Sequence, residues 1–270
     1  MIEQTVAGAK AALATFVNPE KQAFFPKFFK AGPGQYGEGD IFLGVSVPNV
    51  REVAKKFSGL TEAELHELMQ SPIHEHRLLA LIILVAKWKR ATAKKTGTAE
   101  AQRELFDLYL RLVYESRVNN WDLVDQSAPY FGMYLVGKPE SLVLLESLAG
   151  SEKLWERRVS IMFTFASTRA AVLKIGPADF APTLHIAEIL LHDKHDLIHK
   201  AVGWMLREVG NRDVTALRNF LNRFAGVMPR TMLRYAIEKL DEPERKMWLG
   251  TAAQAAQAAQ AAQAAQVEVK

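Results

Sequence analysis

Leu154-Trp-Glu-Arg-Arg-Val-Ser160 is the stretch that decides the fold, because its shape returns twice in the chain. It aligns with Leu197-Ile-His-Lys-Ala-Val-Gly203, about 43 residues later, and with Ile73-His-Glu-His-Arg-Leu-Leu79, roughly 81 residues earlier. A period near 40, built from paired helices, is the pattern of HEAT-like or armadillo-like stacks. Chance likeness between amphipathic helices is the competing account. In a stack, neighbouring helix pairs bury a continuous core and form a curved wall. A wall with a basic concave face suits a long polyanion.

The rest of the chain also reads as helix after helix. Leu65, Leu68 and Met69, the run Leu78 to Val85, and Leu105, Leu108 and Leu112 keep helical spacing. So do residues 142–148, 154–166, 184–191, 197–209 and 214–224. Breakers separate them: Gly32-Pro33-Gly34, Pro48, Ser71-Pro72, Gly97, Gly137-Lys138-Pro139, Gly176-Pro177, Gly226 and Pro229. Ile41 to Val47 is the one extended candidate, either a short strand or a turn leading into a helix at Asn49. The expectation is an all-α, HEAT-like helical-repeat solenoid over residues 1–250. Residues 251–270 form a low-complexity Ala/Gln tail outside the fold, either a solvated helical extension or disordered.

Composition bounds the function. A chain of 270 residues with 49% hydrophobic content can bury a sizeable core. It has no cysteine, which excludes disulfides and thiolate metal sites and agrees with a reducing compartment. No basic-then-apolar leader opens the sequence, so no signal peptide is expected. The longest apolar run, Leu78 to Ala86, falls far short of the roughly 20 residues that cross a bilayer. Residues 1–150 carry 17 bases and 17 acids, whereas 151–250 carry 16 bases and 12 acids. The excess points to an anionic partner for the second half, or to a surface that is merely basic.

Two helices concentrate unusual residues. Asn119-Asn120 is a good N-cap for a helix that opens with Trp121, and Asp125 then lies four residues on, on the same face. An indole beside a carboxylate suits a cationic, flat ligand better than it suits a core. In 197–209, Ile198, Ala201, Val202, Met205, Leu206 and Val209 form one apolar stripe. Steps of about 100° put Trp204 on the opposite side with Lys200, Arg207 and Asn211. Trp204 is then either a site residue or packed against a neighbouring repeat. Arg158 falls among Leu154, Ile161, Met162 and Phe165, so it needs an acidic or phosphate partner, with Asp125 a candidate, or it snorkels to water. His192, His195 and His199 have near-ligand spacing but read as a loop entering the next helix, and His74 and His76 as decoration of a helix start. No metal site and no cofactor are expected, since zinc, P-loop, dinucleotide and esterase fingerprints are all missing.

Asp40-Ile-Phe-Leu-Gly-Val-Ser-Val-Pro-Asn-Val-Arg51, Asn120-Trp-Asp-Leu-Val-Asp125, Leu154-Trp-Glu-Arg-Arg158 and Ile198-His-Lys-Ala-Val-Gly-Trp-Met-Leu-Arg-Glu208 together resemble the DNA alkylation repair family, the AlkD-type HEAT-like glycosylases. The likeness is collinear over most of 10–240. The Gly32 to Gly39 loop, the Ala91 to Ala101 connection and the tail depart from it. The resemblance implies catalytic roles for Asp125, Trp121 and Trp204, and DNA backbone contacts for Arg158, Arg207 and Lys200. It implies a concave basic face that grips double-stranded DNA containing alkylated purines without inserting the base into a deep pocket.

The implied activity is a monofunctional alkylpurine DNA glycosylase: hydrolysis of the N-glycosidic bond of cationic N3- or N7-alkylated purines. The alternative is a non-catalytic, HEAT-like DNA-structure binder. Indole faces stabilise cationic character, a carboxylate adds charge and orients water, and arginines hold phosphates without reading sequence. No lysine stands where a Schiff-base nucleophile would, so strand cleavage is not expected. A monomer is expected, without membrane attachment, cytoplasmic and nucleoid-associated when bound to DNA.

Overall fold

A computed structural model describes residues 4–95 and 97–268. Among them are sixteen α-helices and no strand, only an isolated parallel bridge from Ile41 to Ile73. The chain divides into two compact units, Met1–Tyr134 and Leu135–Lys270. The last helix runs from Glu242 to Glu268, across residue 250.

The first unit holds α1 (Val6–Ala14), α2 (Pro19–Phe28), α3 (Val47–Lys56), α4 (Glu62–Met69), α5 (His74–Ala91), α6 (Ala99–Tyr114) and α7 (Trp121–Phe131). Caps explain many of the starts. Thr61 and Glu64 form a reciprocal capping box at α4, and Asn18 and Thr98 accept from the first turns of α2 and α6. In α5, Leu78 to Leu81, Ile83 to Val85 and Trp88 are buried, as befits a stretch that is apolar around most of its circumference, and the polar first turn, His74 to Arg77, is buried as well. It packs against α3, α4, α6 and α7. Trp88, Tyr109 and Phe131 fill the adjoining core, the last two stacked at 4.2 Å with Tyr109 hydroxyl on Ser127 Oγ.

The second unit holds α8 (Ser141–Ala149), α9 (Leu154–Phe163), α10 (Phe165–Thr168), α11 (Ala170–Leu173), α12 (Ala181–Ile189), α13 (Asp196–Gly210), α14 (Val214–Phe224), α15 (Arg230–Ala236) and α16 (Glu242–Glu268). The periodic stretches of the sequence map closely onto α8, α9, α12, α13 and α14. α13 is central, against α9, α12, α14 and α15. All six residues of its predicted stripe are fully buried.

The repeat has a physical form, in a register one residue away from the sequence alignment. At the entry to α5, Ser71 Oγ accepts from Ile73 N, and Arg77 donates back to the Ser71 carbonyl at 2.8 Å. At α9, Ser151 Oγ accepts from Lys153 N, and Arg157 donates to the Ser151 carbonyl at 2.9 Å. At α13, Asp193 Oδ1 accepts from His195 N, and His199 Nε2 reaches the Asp193 carbonyl at 2.5 Å. A polar cap at one position and a basic side chain six residues on therefore recur at 71, 151 and 193, spacings of 80 and 42 rather than 81 and 43.

Candidate functional site

In the first unit, α7 opens as its sequence predicts. Asn120 is the N-cap, its side-chain oxygen accepting from Trp121 N at 2.9 Å. Trp121 and Asp125 are both half-buried, one helical turn apart. The indole stacks on Phe29 at 5.7 Å and 22°, and meets the exposed Phe28 edge-on at 5.9 Å. Asp122 points elsewhere: it is 6% exposed, and its Oδ2 lies 2.9 Å from His74 Nε2.

His74 is thus no surface decoration. Its Nδ1 faces Asp40 Oδ2 at 3.2 Å, and Asp40 Oδ1 takes Arg77 Nη2 at 2.5 Å. Burial alone would depress the His74 imidazole, but Asp122 and Asp40 outweigh it and raise the pKa to about 9. Burial likewise opposes the Asp40 charge, yet His74 and Arg77 bring that carboxyl below its ordinary value. His76, also buried, is pushed down to about 4 by burial and by Lys10 and Arg77, and its Nδ1 contacts Ser71 Oγ. Next to His74, the Glu75 carboxylate accepts from Leu43, Gly44 and Val45 amides at 2.8–3.2 Å. Gly44 fits this strap because φ is +78° and any Cβ would meet the Asn18 carbonyl at 2.3 Å.

In the second unit, α13 presents Trp204, Lys200 and Arg207 away from its buried stripe, all three half-buried. Trp204 meets Phe165 edge-on at 6.1 Å. Lys200 pairs with Asp196 at 2.7 Å, a hydrogen bond that draws the Asp196 carboxyl down, and Arg207 pairs with Glu238. Gly203 lets α15 approach: a Cβ there would meet the Met232 carbonyl oxygen at 2.5 Å. Arg158 lies on α9, turned towards α13. It is 4% exposed and donates to the Leu197 carbonyl of α13 at 2.5 Å, fastening α9 to the helix that carries Trp204.

Sequence reasoning missed a second feature of the first unit. Arg51, Lys55, Lys89 and Arg90 line a groove of about 610 Å³ together with Gln126 and Tyr130 of α7, and no carboxylate lines it. Arg51 bonds Gln126 at 3.2 Å, and Lys89 lies 4.4 Å over the Tyr130 ring. Arg51, Lys55 and Lys89 form no ion pair among the described residues. The net charge of 1–150 hid this, since balanced totals say nothing about where the cations gather. A further cavity of about 600 Å³ in the second unit, bordered by Leu142, Leu145, Phe163 and His185, involves none of the residues singled out from the sequence. Among the described residues no group of His, Asp and Glu is arranged to hold a metal, His195 being an N-cap. No helix among them is long and apolar enough to cross a membrane.

An all-helical repeat fold among the described residues, with an indole–carboxylate pair half-buried on α7 and an indole beside Lys200 and Arg207 on α13, defines a class of helical-repeat protein. The chain belongs to the DNA alkylation repair enzyme family, whose model matches residues 9–240. It shares its fold with a solved structure described as a predicted DNA alkylation repair enzyme from Enterococcus faecalis. That match has TM-score 0.58 at 16% identity, over 84% of this chain and 97% of the other. No curated protein matches the sequence. A role in DNA repair follows from the family.

Proposed function

We propose that this protein is a monofunctional glycosylase that releases cationic N3- or N7-alkylated purines from duplex DNA. A water oxygen bonds to C1′ of the deoxyribose and the C1′–N bond breaks. The bonding pair goes to the departing base, which leaves neutral, and the water proton passes to Asp125 or solvent. The sugar becomes cationic along the way, so a nearby carboxylate and indole faces lower the barrier. The observation that carries this reading is the division of labour within α7. Trp121 and Asp125 remain half-exposed on one face, while Asp122 between them is buried on His74. Asp125 takes the role of electrostatic stabiliser and water-orienting group, and the indoles of Trp121 in the first unit and Trp204 in the second are the aromatic groups of the proposed chemistry.

Backbone binding falls to Lys200 and Arg207 on α13 and to the Arg51–Lys55–Lys89–Arg90 groove, with Arg158 supporting α13 from behind its N-terminal turn. Such contacts position the duplex without reading sequence, and the protein acts as a monomer. The test is single-turnover release of 7-methylguanine from a duplex with one lesion. Wild type should release free base and leave an intact abasic strand. Asp125→Asn should slow release by roughly 10²-fold, as for loss of one electrostatic stabiliser, with duplex affinity little changed. Full activity in folded Asp125→Asn protein would favour a non-catalytic DNA-structure binder instead.

A further inference from the structure

His74, Asp40, Asp122 and Arg77 are a buried charge cluster that the proposed chemistry does not use. The two carboxylates and the imidazole are 2–8% exposed, and Arg77 is 3% exposed. Both His74 ring nitrogens face carboxylate oxygens, at 3.2 and 2.9 Å. An ionised carboxylate only accepts, so both nitrogens must donate and the ring is an imidazolium. Two cations and two anions then form a neutral set, the arrangement that makes burial of charge tolerable. The set draws together three segments: the loop ending at Asp40, the first turn of α5 and the first turn of α7. Phe29 and Phe42 pack on the same imidazole, at 4.7 and 5.1 Å between centroids, and Phe29 also stacks on Trp121.

We infer that His74 is a positioning residue for the α7 site: its imidazolium, bonded to Asp122, sets the first turn of the helix and, through Phe29, the plane of the Trp121 indole. The inference rests on reading Trp121 and Asp125 as the lesion-facing groups. His74 itself touches no substrate. It acts because Asp122 lies between those two residues, so a displaced Asp122 carries both with it. The charged groups facing His74 are Asp40 from the loop, Asp122 from α7 and, through Asp40, Arg77 of its own helix; Phe29, just after α2, and Phe42 of the loop present their rings. Asp122 Oδ1 is buried without a partner, so Asp122 depends on His74 for its hydrogen bonding.

The experiment follows the Trp121 indole N–H signal by NMR, assigned with Trp121→Phe, beside single-turnover base release. His74→Gln leaves one buried carboxylate uncompensated, whereas His74→Gln/Asp122→Asn removes one charge of each sign. The single variant should move the Trp121 signal and slow release by roughly tenfold or more at unchanged duplex affinity, since small misplacements are costly. The double variant should return both towards wild type. Should His74→Gln fail to fold, titration of wild type keeps the inference open to refutation. The Trp121 signal should then follow deprotonation of His74 near its raised value of about 9. An unmoved Trp121 signal with wild-type release in folded His74→Gln overturns the inference, as does a Trp121 signal indifferent to His74 titration. Absence of base release by wild type overturns the glycosylase reading alone, because a Trp121 response to His74→Gln still supports positioning.

Discussion

Substituting Gly203 by alanine tests the close approach of α13 and α15. A Cβ there meets the Met232 carbonyl oxygen and Tyr235 Cβ, each at 2.5 Å, where ordinary contact begins at 3.4 Å. The helices must part by about 1 Å, in a core packed as densely as an organic crystal. Neither neighbour can rotate away, one being main chain and the other the root of a side chain. Overpacking of this kind costs about 1–3 kcal/mol, and rigid neighbours argue for the upper end. Alanine returns up to about 1 kcal/mol through helix propensity, leaving a net loss of about 2 kcal/mol. For a chain of this size that lowers Tm by roughly 4–8 °C.

Two other glycines are the controls. Gly210 also has a 2.5 Å neighbour, but it is Leu217 Cδ2, a terminal methyl that can turn, so Gly210→Ala should fall less. Gly250, inside α16, has nothing within 4 Å, and Gly250→Ala should stabilise by up to about 1 kcal/mol. Thermal melts followed by helical circular dichroism rank the three. A Gly203→Ala protein that melts with wild type, or one more stable than Gly210→Ala, would refute the reasoning.

Asp122→Asn should be the more damaging of the two α7 amide variants to stability. It strands the His74–Arg77 charge against Asp40 alone, at a cost of about 3–5 kcal/mol, and equal urea midpoints for Asp122→Asn and Asp125→Asn would contradict this. The His74 pKa is raised on folding, from 6.5 to about 9. Its contribution is therefore complete below pH 6.5 and lost as pH rises through about 9, so the urea midpoint should fall across that window in wild type. A midpoint equally flat there in wild type and in His74→Gln/Asp122→Asn would exclude the linkage. Reversing Arg51 and Lys89 to glutamate should weaken duplex binding for all sequences. It should also reduce the slope of log affinity against log salt by about 2, and an unchanged slope would take the groove out of the interface.

Local pattern carried much of the fold. The stripe from Ile198 to Val209 is buried throughout, the Asn120 cap opens α7 at Trp121, and 214–224 is α14 from end to end, because helical periodicity and capping are short-range properties. The pair Trp121 and Asp125 was legible for the same reason, four residues being one turn. His74 was not. Its partners Asp40 and Asp122 lie 34 and 48 residues away, and a histidine at a helix start has the same local sequence whether it faces water or two carboxylates. The four cations of the α3–α5 groove are likewise scattered from Arg51 to Arg90 and disappear into a neutral total until those helices pack. Arg158 stands out in the sequence as a guanidinium among apolar residues. That it ends on the Leu197 carbonyl was decided by the packing of α9 on α13, because a buried donor bonds whatever acceptor the neighbouring helix brings within reach.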